Sequence, residues 1–490
     1  MFDQLKSKKI DVAISKGNSP RECVLKSIET LGGISKFINE GDQVFIKFNV
    51  TIPGGFPINT NPEVIGAIIS SCKKAGARKI LLGSFPLKRI PLKVIFDYLG
   101  IQEYFESLGA QLVYLDNSDI FCKDPIKPEE LKKIKDASFL KIPVNDTEYL
   151  FPKIILDSDK LIIVNQVNVN PLFNCNLSLM NSYSNIPPIH QEIVKDSHTT
   201  QEYVSHDKYR KDLVSQILDV FTIKKPDLVI NDTFYILEGA GPYIYKDSNL
   251  LKPGFIIAGE NGCAVDLITL TTLNIDIDKN ELIIEARKRN INIPALSSIK
   301  VLGEKIGEIT TDIQLCVSNL KDIRVRNFEL NTGKYCSGCF KQAYHLLNLM
   351  KTYMVKDLKY NVYNSFLIGE NPTEPENLSN IILFGDCSIN STVNHKFRKI
   401  VNIVKQDIKK KKENKKSKEK QIKEPVTKKE KPNKKILELP GCPPRVFDCI
   451  KLVLKYYGKK NVPNLNLLSK INNLWVSGKS SKNLKMWEAL

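Results

Sequence analysis

The chain has 490 residues, 42% hydrophobic and 26% charged, with a formal net charge of +18. That size and balance fit a soluble protein of two or three domains with buried cores, and exclude a disulfide-stapled miniprotein or a low-complexity chain. Residues 405–435 hold 15 lysines against five acids, so +10 of the +18 sits in one tract and the rest is not a strongly basic nucleic-acid binder.

The first residues, MFDQLKSKKIDVAISKG, are polar and charged, so no secretory signal is expected. No run approaches the roughly 18 apolar residues of a membrane span. The expectation is a cytoplasmic protein with no membrane span. Its 11 cysteines are scattered and odd in number, so they read as buried apolar residues or as metal and redox ligands rather than as a disulfide framework.

Ser19-Pro20 opens the first helix, which runs to about Leu31 and stops at Gly32-Gly33. QVFIKFNV (43–50) is a buried strand. A helix follows from Pro62 to Gly76, then a strand at 79–85, one helix over VIFDYLGIQEYFESLGA, and a strand at 111–115. Residues 116–150 read as an irregular excursion. Strand KLIIVNQV (160–167) precedes a long polar loop, 168–188. Helix YRKDLVSQILDVFTI, strand DLVINDTFYI, the glycine turn LEGAGP, strand 255–261 and helix GCAVDLITLTTLN complete the pattern. Alternating strands and helices predict an α/β fold: a mostly parallel sheet with helices on both faces, over residues 1–300. A smaller C-terminal α/β metal-binding domain is expected over 301–404 and 436–490. Between its halves lies 405–435, a lysine-rich insertion with too little apolar content to offset its ordering entropy. That tract has no arginine, aromatic or glycine, so no nucleic-acid role is expected.

Four cysteines organise the C-terminal third: Cys336 and Cys339 in YCSGCF, Cys387 in FGDCS and Cys442 in LPGCPP. The first pair sits at the start of a helix, where free amides and the macrodipole favour thiolate. Pro443 and Pro444 start another helix after Cys442, and Cys387 follows strand NIILFGD. Four thiolates suit zinc or an iron–sulfur cluster, and the spacing equally allows a CxxC redox pair with two buried cysteines. Gly338, Gly385 and Gly441, each beside a sulfur, favour a metal site. Of the other cysteines, Cys175 in the polar loop is the best candidate for a reactive role; Cys23, Cys72, Cys122, Cys263, Cys316 and Cys449 read as packing residues. His190, His198 and His206 read as loop residues.

GCPP followed by a helix resembles the cluster-ligand segment in the small electron-transfer subunits of respiratory complex I and nickel–iron hydrogenases. The resemblance implies one 4Fe–4S cluster, with zinc as the alternative.

Ligands of parallel sheets bind beyond the carboxyl ends of the strands. The polar residues there are Lys47 and Asn49; Asn165, Gln166 and Asn168; Asn231, Asp232, Glu238 and the turn Gly239–Pro242; and Glu260 and Asn261. Lys47 interrupts the apolar run VFIKF, and a buried lysine needs a partner or a ligand. Loops this long are often functional, which adds Asn181. No P-loop, HExxH, nucleophile elbow or GxGxxG dinucleotide motif is present.

The segments VFIKFNV, NPEVIGAIISSCKKAGARKILLGS, LIIVNQVNVN, LSLMNSYSNIPP, PDLVINDTFYILEGAGP and AGENGCAVDLITLTTLNID, in this order, resemble the family of domain of unknown function 362, uncharacterised iron–sulfur-centre proteins. The resemblance covers roughly residues 40–280 and picks out Lys47, Asn49, Asn181, Asp232, Glu238, Gly241, Pro242 and Asp266. It fixes places rather than roles. Such proteins tend to carry Lys-x-His where this chain has Asn-Gln-Val-Asn, so the resemblance implies no anion or metal role there; many also carry a compact ferredoxin insert that this chain lacks, so one cluster is implied rather than two.

The expected protein is an iron–sulfur electron carrier whose α/β domain binds a small anionic ligand, working with a redox partner protein or a small-molecule ligand. The alternatives are a zinc-stapled scaffold whose basic insertion docks an acidic partner, and metal-free catalysis by Lys47 with Glu238.

Overall fold

A computed structural model describes residues 9–86, 90–116, 137–188, 207–291, 293–354, 357, 363–400 and 435–477. They form two compact units. One takes residues up to 188, 212–316 and 472–477; the other takes 207–211 and 317–471. Among the described residues, no helix is long and apolar enough to cross a membrane.

The first unit contains β1 (Ile10–Lys16), β2 (Gln43–Phe48), β3 (Lys79–Gly83), β4 (Gln111–Val113), β5 (Phe139–Val144), β6 (Thr147–Pro152) and β7 (Lys160–Gln166). It continues with β8 (Val169–Asn170), β9 (Asn174–Cys175), β10 (Leu228–Thr233), β11 (Ile236–Gly239), β12 (Ser248–Leu251), β13 (Phe255–Gly259) and β14 (Ile299–Gly303). Eight of these make one sheet in the order β14-β1-β13-β10-β7-β2-β3-β4. Every neighbouring pair is parallel except those of β13, which runs antiparallel to β1 and β10. The sheet is therefore mixed α/β and mostly parallel, as its alternation of strands and helices requires.

Helices α1 (Pro20–Thr30) and α2 (Pro62–Lys74) pack on one face through Cys23, Val24, Ile28, Val64, Ile65 and Ile68, against Ile46, Val164, Ile230 and Ile256. Ser19 caps the first helix by accepting from Glu22 N at 3.2 Å, and Asn61 caps the second by accepting from Glu63 N at 3.0 Å. The long helix expected at 94–110 is instead two, α3 (Leu92–Leu99) and α4 (Gln102–Ser107). Gly100 adopts a left-handed conformation (φ 63°) and ends the first. Part of the expected irregular excursion is a β5–β6 hairpin, and residues 117–136 of it lie outside the described residues. The long polar loop contains α5 (Ser178–Tyr183). Then come α6 (Lys208–Ile223) and α7 (Gly262–Thr272), the latter capped by Asn261 and buried along almost its whole length.

The second unit is a smaller α/β layer. Its strands β15 (Phe328–Thr332), β16 (Asn364–Ile368), β17 (Asn380–Phe384) and β18 (Lys435–Leu439) form a wholly parallel sheet in chain order. Its helices include α8 (Ser337–Tyr353), α9 (Asp386–Ser391) and α10 (Val446–Tyr457). The last begins at Val446, with Arg445 at its cap, rather than at the two prolines. Of the lysine tract only Lys435 falls within the described residues.

Candidate functional site

The four cysteines gather at the carboxyl end of the parallel sheet in the second unit. Each motif leaves the end of a strand: Cys336 after β15, Cys387 after β17 and Cys442 after β18. The chain after β15 must cross the end of β16 to reach them. It does so by backbone pairing: Gly333 N donates to Ile368 O at 2.8 Å, Lys334 N to Glu370 O at 3.1 Å, and Glu370 N to Lys334 O at 2.7 Å.

The other two motifs are locked to each other. Gly385 N donates to Leu439 O at 2.9 Å, Asp386 N to Gly441 O at 3.1 Å, and Gly441 N to Asp386 Oδ1 at 2.8 Å. Asp386 therefore sets the position of Cys442 relative to Cys387. Nothing in the sequence pattern singled it out, because an aspartate after a glycine reads as an ordinary helix start. Gly385 (φ 88°) takes a left-handed conformation, and a Cβ there would come 3.3 Å from Cys339 Sγ. A larger residue would crowd that sulfur.

Cys336 is the N-cap of α8 and Cys339 lies in its first turn. A sulfur–sulfur hydrogen bond with Cys339 and the amides of Gly338 and Cys339 hold the Cys336 thiol below its ordinary value, despite burial. The same bond, then burial, then the nearby Cys336, Cys387 and Cys442 push Cys339 up. Burial, then Cys442, then Cys336 push Cys387 up to about 12. Each sulfur is thus within electrostatic reach of others, while Cys336, Cys339 and Cys387 are at most 6% exposed. Among the described residues, however, no three Cys, His, Asp or Glu side chains close on a point that could hold one metal ion. A tetrahedral zinc needs its sulfurs at about 2.3 Å from one centre. A cubane cluster binds each thiolate through a different iron, so its four sulfurs stand further apart. Four thiolates are the donor set of either centre, and Gly385, whose Cβ would come 3.3 Å from Cys339 Sγ, leaves room beside the sulfurs for one. Cys449 lies on α10, 2% exposed, among core residues.

In the first unit the candidate residues lie at the ends of β2, β7 and β10, on both faces of the sheet. Lys47 is fully buried and donates to Phe48 O at 2.9 Å, Asn181 Oδ1 at 2.8 Å and Ser184 Oγ at 2.8 Å. All three contacts are to neutral oxygens, and burial holds its pKa well below the ordinary lysine value. Asn165 donates to Asn231 Oδ1 at 2.5 Å, and Asn231 donates to Asp266 Oδ1 at 3.1 Å. Asp266 in turn accepts from Ser178 N at 3.0 Å and Leu179 N at 3.1 Å. Burial raises Asp266 to about 6 against those bonds. Lys47 and Asp266 together pin α5 to the sheet.

Asp232 and Gln166 are register neighbours at the ends of β10 and β7. Asp232 Oδ1 accepts from Phe234 N at 3.0 Å, while its Oδ2 and the Oε1 of Gln166 have no partner. Burial raises Asp232 to about 7. Asn49 Oδ1 accepts from Gln166 N at 2.8 Å. Glu238, on β11, accepts from Gln314 N at 2.8 Å, so the bonds of Lys47 and Glu238 lead to different groups. Gly241 O accepts from the Cys316 thiol at 3.6 Å. Cys175 is buried, and burial pushes its thiol well up. His190, His198, His206 and Cys122 lie outside the described residues.

Residues 44–271 match a family described as domain of unknown function (DUF362). No curated protein matches the chain. Among solved structures, the lactate racemase apoprotein from Thermoanaerobacterium thermosaccharolyticum is similar at 11% identity and a TM-score of 0.31, covering 75% of this chain and 71% of that one. A likeness that loose carries no argument about this chain.

Proposed function

We propose that this chain, whose residues 44–271 match the DUF362 family, is an iron–sulfur electron carrier. One 4Fe–4S centre would be held by Cys336, Cys339, Cys387 and Cys442, and the α/β unit would take a small anionic ligand near Lys47. The observation that supports the reading is that Cys336, Cys339, Cys387 and Cys442 leave three strand ends of one parallel sheet, with the Cys387 and Cys442 loops bonded to each other and Gly385 beside Cys339 Sγ. Bound there, a cluster would supply one-electron transfer to a redox partner, and with a thiolate on every iron it offers no open position for Lewis-acid chemistry.

The chain's own part is to place and shield the sulfurs. Asp386 fixes the Cys387 and Cys442 loops, Gly385 leaves room beside Cys339, and burial keeps water from Cys336, Cys339 and Cys387. In the α/β unit, Lys47 meets only neutral oxygens. An anion beside it would favour its charged form and balance it.

The test is iron and acid-labile sulfide analysis, with a visible spectrum, on protein purified without oxygen. About four irons and four sulfides per chain with a broad brown absorbance are expected. One zinc and no colour would replace this reading with the zinc-stapled scaffold. No metal at all would leave the Cys336–Cys339 pair as a dithiol.

A further inference from the structure

The cysteine unit includes residues far from the cysteines in sequence. Asp207, with a left-handed backbone (φ 43°), reaches the first turn of α8 from 130 residues away. Its Oδ1 accepts from Ser337 N at 3.0 Å, and its two oxygens accept from Ser337 Oγ at 2.6 and 2.5 Å. Cys336 occupies the N-cap position, but no side-chain capping bond comes from it. Asp207 does that work instead. Two residues on, the ring of Tyr209 lies where a Cβ on Gly338 would come within 2.9–3.1 Å of three of its atoms. One short segment therefore both caps and covers Cys336-Ser337-Gly338-Cys339.

We propose that Asp207 is a positioning residue for the cysteine centre. It holds the turn that presents Cys336 and Cys339, and it places a carboxylate charge beside the sulfurs that favours the oxidised, less negative state of whatever redox centre they carry. Tyr209 closes the turn against water. The inference rests on the cluster reading above for its redox part and on geometry alone for its holding part. A negative charge beside a cluster lowers its reduction potential, and water exclusion changes it as well. Because Asp207 donates no ligand, its effects should appear in potential and protection, not in ligand count.

Two substitutions separate charge from cap. Asp207→Asn keeps an acceptor for Ser337 and suits a left-handed backbone, but removes the charge. With iron present, it should retain the wild-type iron content and shift the midpoint potential upward in spectroelectrochemical titration. Asp207→Ala loses the acceptor as well. It should speed hydrogen exchange at the Ser337–Cys339 amides and accelerate cluster loss to a chelator, and Asp207→Glu should partly restore both. An unchanged potential in Asp207→Asn, in protein of normal iron content, would overturn the proposal. If wild-type protein holds no iron, the cluster reading fails by itself. Exchange in the metal-free Asp207→Ala chain then decides the holding role: faster exchange at 337–339 supports it, and unchanged exchange overturns it. Far-UV circular dichroism and the exchange of β15–β18 amides identify a variant that has simply failed to fold.

Discussion

Lys47 Nζ donates to Asn181 Oδ1 at 2.8 Å, and the amide nitrogen of Asn181 donates to Val164 O at 3.0 Å. One amide thus ties two adjacent parallel strands to a six-residue helix in an otherwise irregular loop. Without the lysine, Asn181 Oδ1 and Ser184 Oγ each lose a donor in a site closed to water, at about 1–3 kcal/mol for each buried group left unsatisfied. The removed desolvation of lysine offsets part of this. Lys47→Met is expected to lower stability by about 1–3 kcal/mol in urea melts, and to speed exchange of the α5 amides more than those of β2. Equal acceleration in both would show that the lysine supports the sheet rather than the loop.

The strands of the main sheet were legible because a central strand buried on both faces is a short apolar run between turn signals. VFIKF, KILLG, KLIIV and FIIAG stand as those runs. The helices from Pro20 and Pro62 were legible through their capping residues. What the pattern hid has physical causes. IDVAISK mixes polar and apolar residues at a sheet position next to the edge, so β1 left no continuous run. The antiparallel direction of β13 depends on which neighbours it joins, which periodicity does not encode. Helix α5 is six residues long and half polar, and it is held by Asp266 and Lys47, both distant in sequence. The gathering of the four cysteines could be suspected from their glycines. Asp386 and Asp207 could not, because their bonds form only when segments far apart in sequence meet.

Asp232 offers a test in pH. Burial raises its pKa from 3.8 to about 7, so the folded state holds a proton there that the unfolded chain has released. The stability it contributes is present in full below about pH 4 and is lost as pH rises through about 7. Asp232→Asn removes the titration and keeps an acceptor for Phe234 N. The variant should match wild type near pH 4 and gain stability on the order of 2–4 kcal/mol at pH 8. Urea melts at the two pH values measure this. A constant difference between them would mean that Asp232 titrates normally.

If the proposed anion sits beside Lys47, its binding should favour proton uptake there. In the free protein its charged form is penalised by burial, and an anion placed beside it restores that form. Affinity should therefore rise as pH falls. Acetate, oxalate and phosphate, screened by thermal shift, should raise the melting temperature more at pH 6 than at pH 9 for at least one of them. Lys47→Met should show no such difference. If none of the three shifts wild-type protein at either pH, the anion reading of this site fails for these classes.

Cys442 and Cys449 lie seven residues apart in different surroundings. Cys442 follows Gly441, whose amide is held by Asp386 Oδ1 at 2.8 Å. Cys449 is 2% exposed on α10, where burial pushes its thiol up to about 12. Cys449→Ala should keep the iron and cost only about 1–2 kcal/mol, as a small buried truncation does. Cys442→Ser should lose most of the iron with little change in far-UV circular dichroism. Asp386→Ala should resemble Cys442→Ser more than Cys449→Ala, because it leaves all four sulfurs in the chain but frees the loop that aims one of them. Iron analysis on the three variants, purified side by side without oxygen, ranks them. Full iron in Asp386→Ala would mean that the strand ends alone place the sulfurs, and the loop lock would then be a matter of stability rather than of the site.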